Sequence, residues 1–110
     1  MIILSATTYN ESSTVEGEKF KGDGYYGSND GLHTVAYHLA GFIGIIKIQG
    51  TLSSSPTSED WFDISDTLYS DGTTTETVNT FKNFSGNFMW IRVTITDFAA
   101  GTVNKVLYNN

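Results

Sequence analysis

Apolar and polar residues alternate at period two over several short stretches of the chain, and this pattern is typical of β-strands. The clearest stretch runs from Phe88 to Asp97, where every second residue is apolar. The other stretches of strand character are Ile2 to Ala6, Thr14 to Lys21, Leu32 to Leu39, Phe42 to Leu52, Trp61 to Ile64, Thr73 to Phe84 and Thr102 to Tyr108. Helical periodicity is missing throughout, so we expect no helix longer than about two turns.

Turn-forming residues separate these stretches. Gly22 to Gly31 is rich in glycine, Asn and Asp, and "SSSPTSED" holds the only proline, Pro56. The segments "SDGT", "FSGN" and "DFAAGT" each supply a glycine for a turn that needs positive φ. Seven or eight short strands with such breaks predict an all-β fold, an antiparallel β-sandwich of jelly-roll type, formed by residues 1–110 as a single domain.

The last third of the chain predicts a β-hairpin, in which "NFMWIRVTITDF" pairs with "VNKVLYNN" across the turn "AAGT". One reading of the first strand places Met89, Ile91, Val93 and Ile95 in the core and turns Phe88, Trp90, Arg92 and Thr94 outward. The other reading reverses this parity through a bulge and buries Trp90. The pattern alone leaves both open.

Composition restricts the classes of partner. The 110 residues carry a net charge of −6, only 16% are charged, and the six Lys and Arg residues are scattered. Nucleic acids and anionic membranes attract basic patches, so we expect neither as a partner. Hydrophobic residues reach 39% and aromatic residues 14%, which is enough for one core.

The sequence shows few signals for targeting, membrane insertion or cysteine chemistry. The chain contains no cysteine, which excludes disulfides and cysteine-based metal sites. Its longest apolar run, Ala40 to Ile46, is far shorter than the roughly 20 residues of a membrane span. The opening "MIIL" lacks a basic n-region, so a Sec signal is not expected.

Candidate catalytic groups are few. His33 and His38 lie five residues apart, on opposite faces of an ideal strand, so they do not readily share a metal and are each expected to be a surface or half-buried residue. The acidic residues Glu59, Asp60, Asp63 and Asp66 fall in one local turn, which makes opposed carboxylates of the glycosidase kind difficult. We therefore expect a solvated acidic rim, no catalytic residue, no metal and no cofactor. Weak calcium binding is the sharper alternative, although Asx-turns explain "SNDG" and "SDGT" without metal.

Aromatic residues in or beside loops are the candidate contact residues for a partner protein or a glycan. These candidates are Trp61, Phe62, Tyr25, Tyr26 and Trp90, together with Arg92 next to Trp90; Tyr69 also lies beside a loop. Neighbouring strand residues point to opposite faces, so Trp61 and Phe62 cannot both enter one core. We expect one of the two rings to fill the core beside Phe42 to Leu52 and the other to face outward.

Two passages carry a resemblance to known folds. "IIKIQGTL…EDWFDI" and "GNFMWIRVTITDFAAGTVNKVLY" resemble a strand–turn–Trp pattern and the closing hairpin of galactose-binding-like jelly rolls of the discoidin type. Together they cover about half of the chain. The cysteines that often link extracellular members are missing here, and no functional residue is carried over from that family.

The same passages also resemble small virion structural proteins of tailed bacteriophages, especially contractile-tailed phages of marine cyanobacteria. The shared features are a "GTL…P…DWF" turn and a "GNF-W-IR-V" strand. This resemblance implies a non-enzymatic virion structural protein, assembled in the host cytoplasm. It would be a capsid decoration or cement protein, or another accessory protein at the particle surface. It would bind capsid or tail subunits and form a homo-oligomer, with a trimer as one form. The alternative is a carbohydrate-binding β-sandwich module involved in host or glycan recognition.

Overall fold

The computed structural model describes residues 1–22 and 31–109, and within these ranges the chain is almost entirely β-structure. Every strand pair is antiparallel, which confirms the predicted all-β antiparallel, sandwich-like fold class. The strands are β1 (Ile2–Leu4), β2 (Thr7–Thr8), β3 (Val15–Glu16), β4 (Phe20–Lys21), β5 (Leu32–Thr51), β6 (Phe62–Asp63), β7 (Glu76–Ser85) and β8 (Trp90–Asn109). One turn of 3-10 helix spans Ser65–Thr67.

Two long strands, β5 and β8, form the centre of the sheet and pair with each other from Thr34↔Asn109 to Thr51↔Trp90. The shorter strands attach to the outer sides of this pair. β7 pairs with residues 32–42 of β5, while β1 and β2 pair with residues 102–107 of β8; we call this part the β7 half. At the other end, β6 pairs with β5, and β3 and β4 pair with β8; we call this part the β6 half.

The sharpest departure from the sequence prediction is that the closing hairpin is wrong. The segments "NFMWIRVTITDF" and "VNKVLYNN" do not pair with each other, because both belong to β8 and both pair with β5. Asp97 (φ 51°) and Gly101 (φ 87°) adopt positive φ within the strand and bend it without reversing it. Likewise, the two strands expected on either side of Gly41 (φ 62°) are one strand with irregular register at this point.

The core lies between the β7 half and the β6 half, whose apolar faces turn toward each other. Contacts across it include the rings of Phe84 and Phe88, with centroids 6.2 Å apart, and the Tyr37 hydroxyl, which donates to the Thr67 carbonyl at 2.8 Å. Burial raises the pKa of Tyr37 well above its usual range, so the hydroxyl keeps its proton. The fully buried apolar residues of β5 are Val35, Tyr37, Leu39, Phe42, Ile46 and Ile48.

The parity of the segment before Asp97 follows the first of the two readings. Ile91, Val93 and Ile95 are buried, whereas Trp90 lies half-buried on the outer face. Two neighbours were wrongly assigned. Met89 is only half-buried, and Phe88, expected to face outward, is buried. Both precede the first residue of β8, so the two-residue alternation of a strand does not extend to them.

Candidate functional site

The outer face of the β6 half holds a connected set of polar and aromatic side chains centred on Arg92. The Arg92 Nε donates to Gln49 Oε1 at 2.9 Å, and its Nη2 lies 2.7 Å from Glu16 Oε2. The guanidinium carbon is 4.4 Å from the centroid of the Trp61 ring, which is the geometry of a cation–π contact. Held on three sides, the Arg92 side chain is only 14% exposed. Arg92 is therefore a fixed part of this face.

Strand register explains why these groups meet. Gln49 lies opposite Arg92 in the β5–β8 pair, and Glu16 lies opposite Thr94 in the β3–β8 pair. Residues directly opposite or diagonal on one face of a sheet are within reach of long side chains. Trp61 reaches the same face because it immediately precedes β6, which pairs with β5 beside Gln49. Four separate segments thus contribute to one surface.

The polar network continues from Gln49 to Asp63 and Lys47. The Gln49 Nε2 donates to Asp63 Oδ1 at 2.8 Å, and Lys47 Nζ lies 3.0 Å from Asp63 Oδ2. The Gln49 amide, together with Lys47, holds the pKa of Asp63 below its usual range. Thr94 Oγ1 donates to the same Gln49 oxygen that Arg92 uses, at 2.9 Å. We call this connected set the Trp61 platform; its members are Glu16, Lys47, Gln49, Trp61, Asp63, Arg92 and Thr94.

Trp90 lies on the same outer face and makes a second contact between a cation and an indole. Lys19 Nζ is 4.5 Å from the centroid of the Trp90 ring, and the Trp90 Nε1 donates to the Ser54 carbonyl at 3.1 Å. Trp90 therefore links β8 to the polar turn after β5 and to the segment between β3 and β4. It positions the border of the Trp61 platform.

The expectation that Trp61 or Phe62 fills the core is wrong. Trp61 faces outward over Arg92, and Phe62 points to the core side but remains 42% exposed. Phe62 pairs with Gly50 at the open margin of the sandwich and touches Phe88, with ring centroids 5.9 Å apart. The space beside Gly50 is filled by Phe88 and Ile64, each 8% exposed. The two rings do lie on opposite faces as expected, but β6 is too near the margin for Phe62 to be enclosed.

The remaining aromatic candidates divide between two outcomes. Tyr25 and Tyr26 lie outside the described residues. Tyr69 is not an open platform, because its backbone pairs with Ile46 and its hydroxyl donates to Glu76 Oε1 at 3.4 Å. Partial desolvation, with Glu76 adding a like charge, raises the pKa of Tyr69 above its usual value.

Two acidic residues of the predicted cluster, Asp60 and Asp63, have separate structural roles. Asp60 Oδ2 accepts from the Thr57 backbone amide at 2.7 Å and closes a local turn, whereas Asp63 belongs to the Trp61 platform. In "SDGT", Asp71 Oδ1 accepts from two backbone amides, an Asx-turn whose hydrogen bonds lower the pKa of Asp71 to about 2. Among the described residues, no group of three His, Cys, Asp or Glu side chains is placed to hold a metal ion.

His33 takes a role that sequence reasoning missed, because it is buried and not at the surface. Its Nε2 donates to the Gly86 carbonyl at 2.6 Å, because a carbonyl oxygen only accepts, and its Nδ1 lies 2.7 Å from the Tyr108 hydroxyl. The ring also stacks on Phe84, with centroids 4.7 Å apart. In the sequence, His33 shares odd parity with the apolar residues Val35, Tyr37 and Leu39, and this alternation was the available signal for its placement.

A cleft of about 630 Å³ opens beside this histidine, at the end of the sandwich where β5 begins and β7 ends. Its lining combines apolar, amide, hydroxyl and carboxylate groups. The lining residues are Leu32, His33, Thr34, Asp66, Asn83, Phe84, Ser85 and Asn109. Its volume is within the range of small-ligand sites.

Comparison of the chain with protein-family models, with curated proteins and with solved structures finds no match. Within residues 1–22 and 31–109, no helix has the length and apolar character needed to cross a bilayer.

Proposed function

We propose that this protein is a non-enzymatic structural component of a bacteriophage virion that docks on neighbouring capsid or tail subunits through the Trp61 platform. The observation that carries the proposal is the stack of Trp61 on Arg92, with the guanidinium fixed by Glu16 and Gln49. Trp and Arg are the residues that most often dominate protein–protein binding energy. Because these side chains are already ordered, docking costs little side-chain entropy.

The charges of the platform also favour docking of a protein surface. Arg92 and Lys47 each have an acidic partner, Glu16 and Asp63, at 2.7 and 3.0 Å. A partner that covers this face would therefore bury paired charges, which avoids the large cost of an uncompensated one. The half-buried indole of Trp61 and the exposed ring of Phe62 supply apolar area at its margin.

The use of the carboxylates favours binding over catalysis. Asp63 is tied to Gln49 and Lys47, and Asp60 is tied to Thr57. A hydrolase of the glycosidase type needs two carboxyl groups facing each other across a substrate. Here the acidic side chains satisfy local backbone and side-chain donors and help to hold the surface in shape.

The assignment to a virion is supported by the resemblance of the "GTL…P…DWF" and "GNF-W-IR-V" passages to small structural proteins of tailed phages. Residues of these passages belong to the platform or border it: Trp61 and Arg92 are members, and Phe62 and Trp90 lie at its margin. A cysteine-free, acidic chain suits a particle assembled in the host cytoplasm. The location on a capsid decoration layer or another particle surface is part of the same proposal.

The test is attachment of the purified protein to particles that lack it. We expect Trp61→Ala to weaken attachment at least about tenfold, because the ring over Arg92 is lost. Its melting temperature should stay close to that of the wild type, since Trp61 is outside the core. Ile2→Ala is the matched control, because Ile2 is 53% exposed but lies in the β7 half. Unchanged attachment of the Trp61 variant, or absence of the protein from purified particles, would contradict the proposal.

A second candidate function, glycan binding, is favoured by the cleft beside His33. The Asp66 carboxylate and the Asn83 amide in its lining are groups that hold sugar hydroxyls. A glycan array probed with the free protein distinguishes the two functions. Glycan binding that is lost in Asp66→Ala and kept in Trp61→Ala would favour the carbohydrate-binding module.

A further inference from the structure

Strand β7 forms an unusually long free edge of the sheet. It spans Glu76–Ser85 and pairs with β5 on one side, and no other described strand pairs with it. The other outer strands, β1, β2, β3, β4 and β6, are two or three residues long. A ten-residue edge therefore stands out in a sheet whose remaining edges are short.

The hydrogen-bonding phase of this edge follows from the β5–β7 register. The Gly86 amide donates to the Gly31 carbonyl at 3.0 Å, so Gly86 and Gly31 form a hydrogen-bonded pair in line with the Leu32↔Ser85 register. Hydrogen-bonded and non-hydrogen-bonded pairs alternate along an antiparallel ladder. The odd-numbered residues of β7 therefore direct both their N–H and their C=O groups away from β5, toward the free edge.

Most of the usual protections of an edge strand are missing from β7. Natural edges are guarded by proline, bulges, short length or charged side chains, including charged side chains that point inward. β7 contains no proline, and its register with β5 is regular from Leu32↔Ser85 to Leu39↔Val78, with one shift on the β5 side before Phe42↔Glu76. The protection that remains is the inward pair Glu76 and Lys82, both in contact with Tyr69, and a partner strand must neutralise these charges. An outward ring, Phe81, is 63% exposed.

We propose that β7 pairs antiparallel with β7 of a second copy of this chain, about a two-fold axis at Asn79, so that the β7 halves of two molecules form one continuous sheet. Such pairing is isologous, since the same edge serves both molecules. It stands independently of the proposed function.

Charge fixes the register. With Asn79 opposite Asn79 of the second copy, Glu76 of each molecule lies opposite Lys82 of the other. Glu76 and Lys82 already share one face of β7, because both contact Tyr69. As even-numbered residues they would form non-hydrogen-bonded pairs across the new edge, where side chains approach most closely. Within the strand bounds, three odd-numbered pairs would each exchange two backbone hydrogen bonds.

On the face of β7 opposite Glu76 and Lys82, the exposed ring of Phe81 gains a neighbour in the dimer. In this register Phe81 lies opposite Thr77 of the second copy and diagonal to its Asn79. The ring, solvent-exposed in the single chain, would cover the uncharged residues of the facing strand. The interface thus combines backbone pairing, two salt bridges and two aromatic contacts.

The first experiment measures the oligomeric state by sedimentation velocity over a range of concentrations. We expect a monomer–dimer equilibrium, abolished by Asn79→Pro and preserved by Asn79→Ala. The backbone N–H of Asn79 points to the free edge in this register. Proline at this position therefore removes an intermolecular donor and leaves the pairing with β5 intact. Thermal melts should show both variants folded. A wild-type monomer at every concentration, a trimer, or a dimer that survives Asn79→Pro would overturn the proposal.

The second experiment tests the register through charge. Glu76→Lys and Lys82→Glu should each raise the dimer dissociation constant about tenfold, because each creates two like-charge pairs across the axis. The double variant restores both attractions and should return the constant to within about threefold of the wild type. A double variant as weak as the single ones would contradict this register.

The third experiment uses the absence of native cysteine. Under mild oxidation, Asn79→Cys should form a disulfide-linked dimer, because the two Cα atoms would be about 5.5 Å apart. Phe81→Cys is the control, since residue 81 would face residue 77 and lie too far from its own copy. Efficient linking through position 81 and none through position 79 would refute the placement of the axis.

Discussion

The two glycines at the bend of the long strands offer a sharp test of the fold, through Gly101→Ala and Gly41→Ala. Both residues adopt positive φ, 87° at Gly101 and 62° at Gly41, so alanine at either site costs about 1–2 kcal/mol of conformational energy. Their surroundings differ. A Cβ atom at Gly101 would lie 2.1 Å from the Gly41 carbonyl oxygen and 2.7 Å from Phe42 Cα, whereas a Cβ atom at Gly41 has nothing within 4 Å.

The expected losses of unfolding free energy follow from this difference. Gly41→Ala should lose about 1–2 kcal/mol, the conformational cost alone. Gly101→Ala must also move one backbone segment away from another, and we expect a loss of at least about 3 kcal/mol, a large share of the stability of a small domain. The melting temperature should fall by roughly 4 °C for each kcal/mol.

Chemical denaturation followed by tryptophan fluorescence and far-UV circular dichroism measures both variants. Equal denaturant slopes would show that the losses belong to the folded state and not to a change in the unfolded chain. If the two alanine variants differed by less than about 0.5 kcal/mol, the close approach of β5 and β8 at this bend would be refuted.

Three further substitutions test separate parts of the fold. Asp71 has its pKa lowered to about 2 by backbone amides of its turn, so its contribution to stability is complete above about pH 4 and is lost as pH falls toward 2; Asp71→Asn should flatten the melting temperature across this window, and an unchanged acid slope would contradict that assignment. Phe88→Ala should cost about 3–5 kcal/mol because the ring is buried, whereas Phe62→Ala at the exposed margin should cost about 1 kcal/mol or less; equal losses in denaturant melts would mean that the margin is misplaced. Tyr37→Phe removes the buried hydroxyl that donates to the Thr67 carbonyl and should cost about 1–2 kcal/mol in the same assay, with no loss if that bond is absent in solution.

The alternation of apolar and polar residues accounts for most of what was correct in the fold prediction. The buried residues Val35, Tyr37 and Leu39 share odd parity, and Ile91, Val93 and Ile95 do likewise in β8. A strand with one face on the core must show this pattern, whatever its partner. Strand character and the identity of much of the core were therefore readable from the residues alone.

The connections between strands were less readable, because a glycine with positive φ serves a turn and a bulge equally well. At Gly41 the sequence did hold a discriminating signal. The large apolar residues hold odd positions from Val35 to Leu39 and take even positions as well from Phe42 onward. A shift of one residue within a continuous apolar run is typical of a bulge. At Gly101 the neighbouring residues "AAGT" carry no such sign, so the hairpin was a fair but wrong prediction.

The candidate site was predicted in part. Trp90 and Arg92 were placed on the outer face by one of two open readings, whereas alternation left open which of Trp61 and Phe62 faces outward. The partners of Arg92 could not be predicted, because Glu16, Gln49 and Trp61 are distant in sequence and meet only through strand register. Phe62 was assigned to the core or to a partner without knowledge of where β6 lies in the sheet.

The position of β8 sets the order in which this chain can fold during synthesis. β1, β2, β3 and β4 pair only with β8 among the described strands, and β5 pairs with β8 from Thr34 to Thr51. The ribosome therefore releases the first four strands long before their common partner exists. Until residues 90–109 emerge, β5 has, of the strands described, only β6 and β7 as pairing partners, and its apolar face stays partly exposed. Pairing at such sequence separation is slow, typically milliseconds to seconds, so nascent chains stalled before β8 should depend on chaperones to stay soluble.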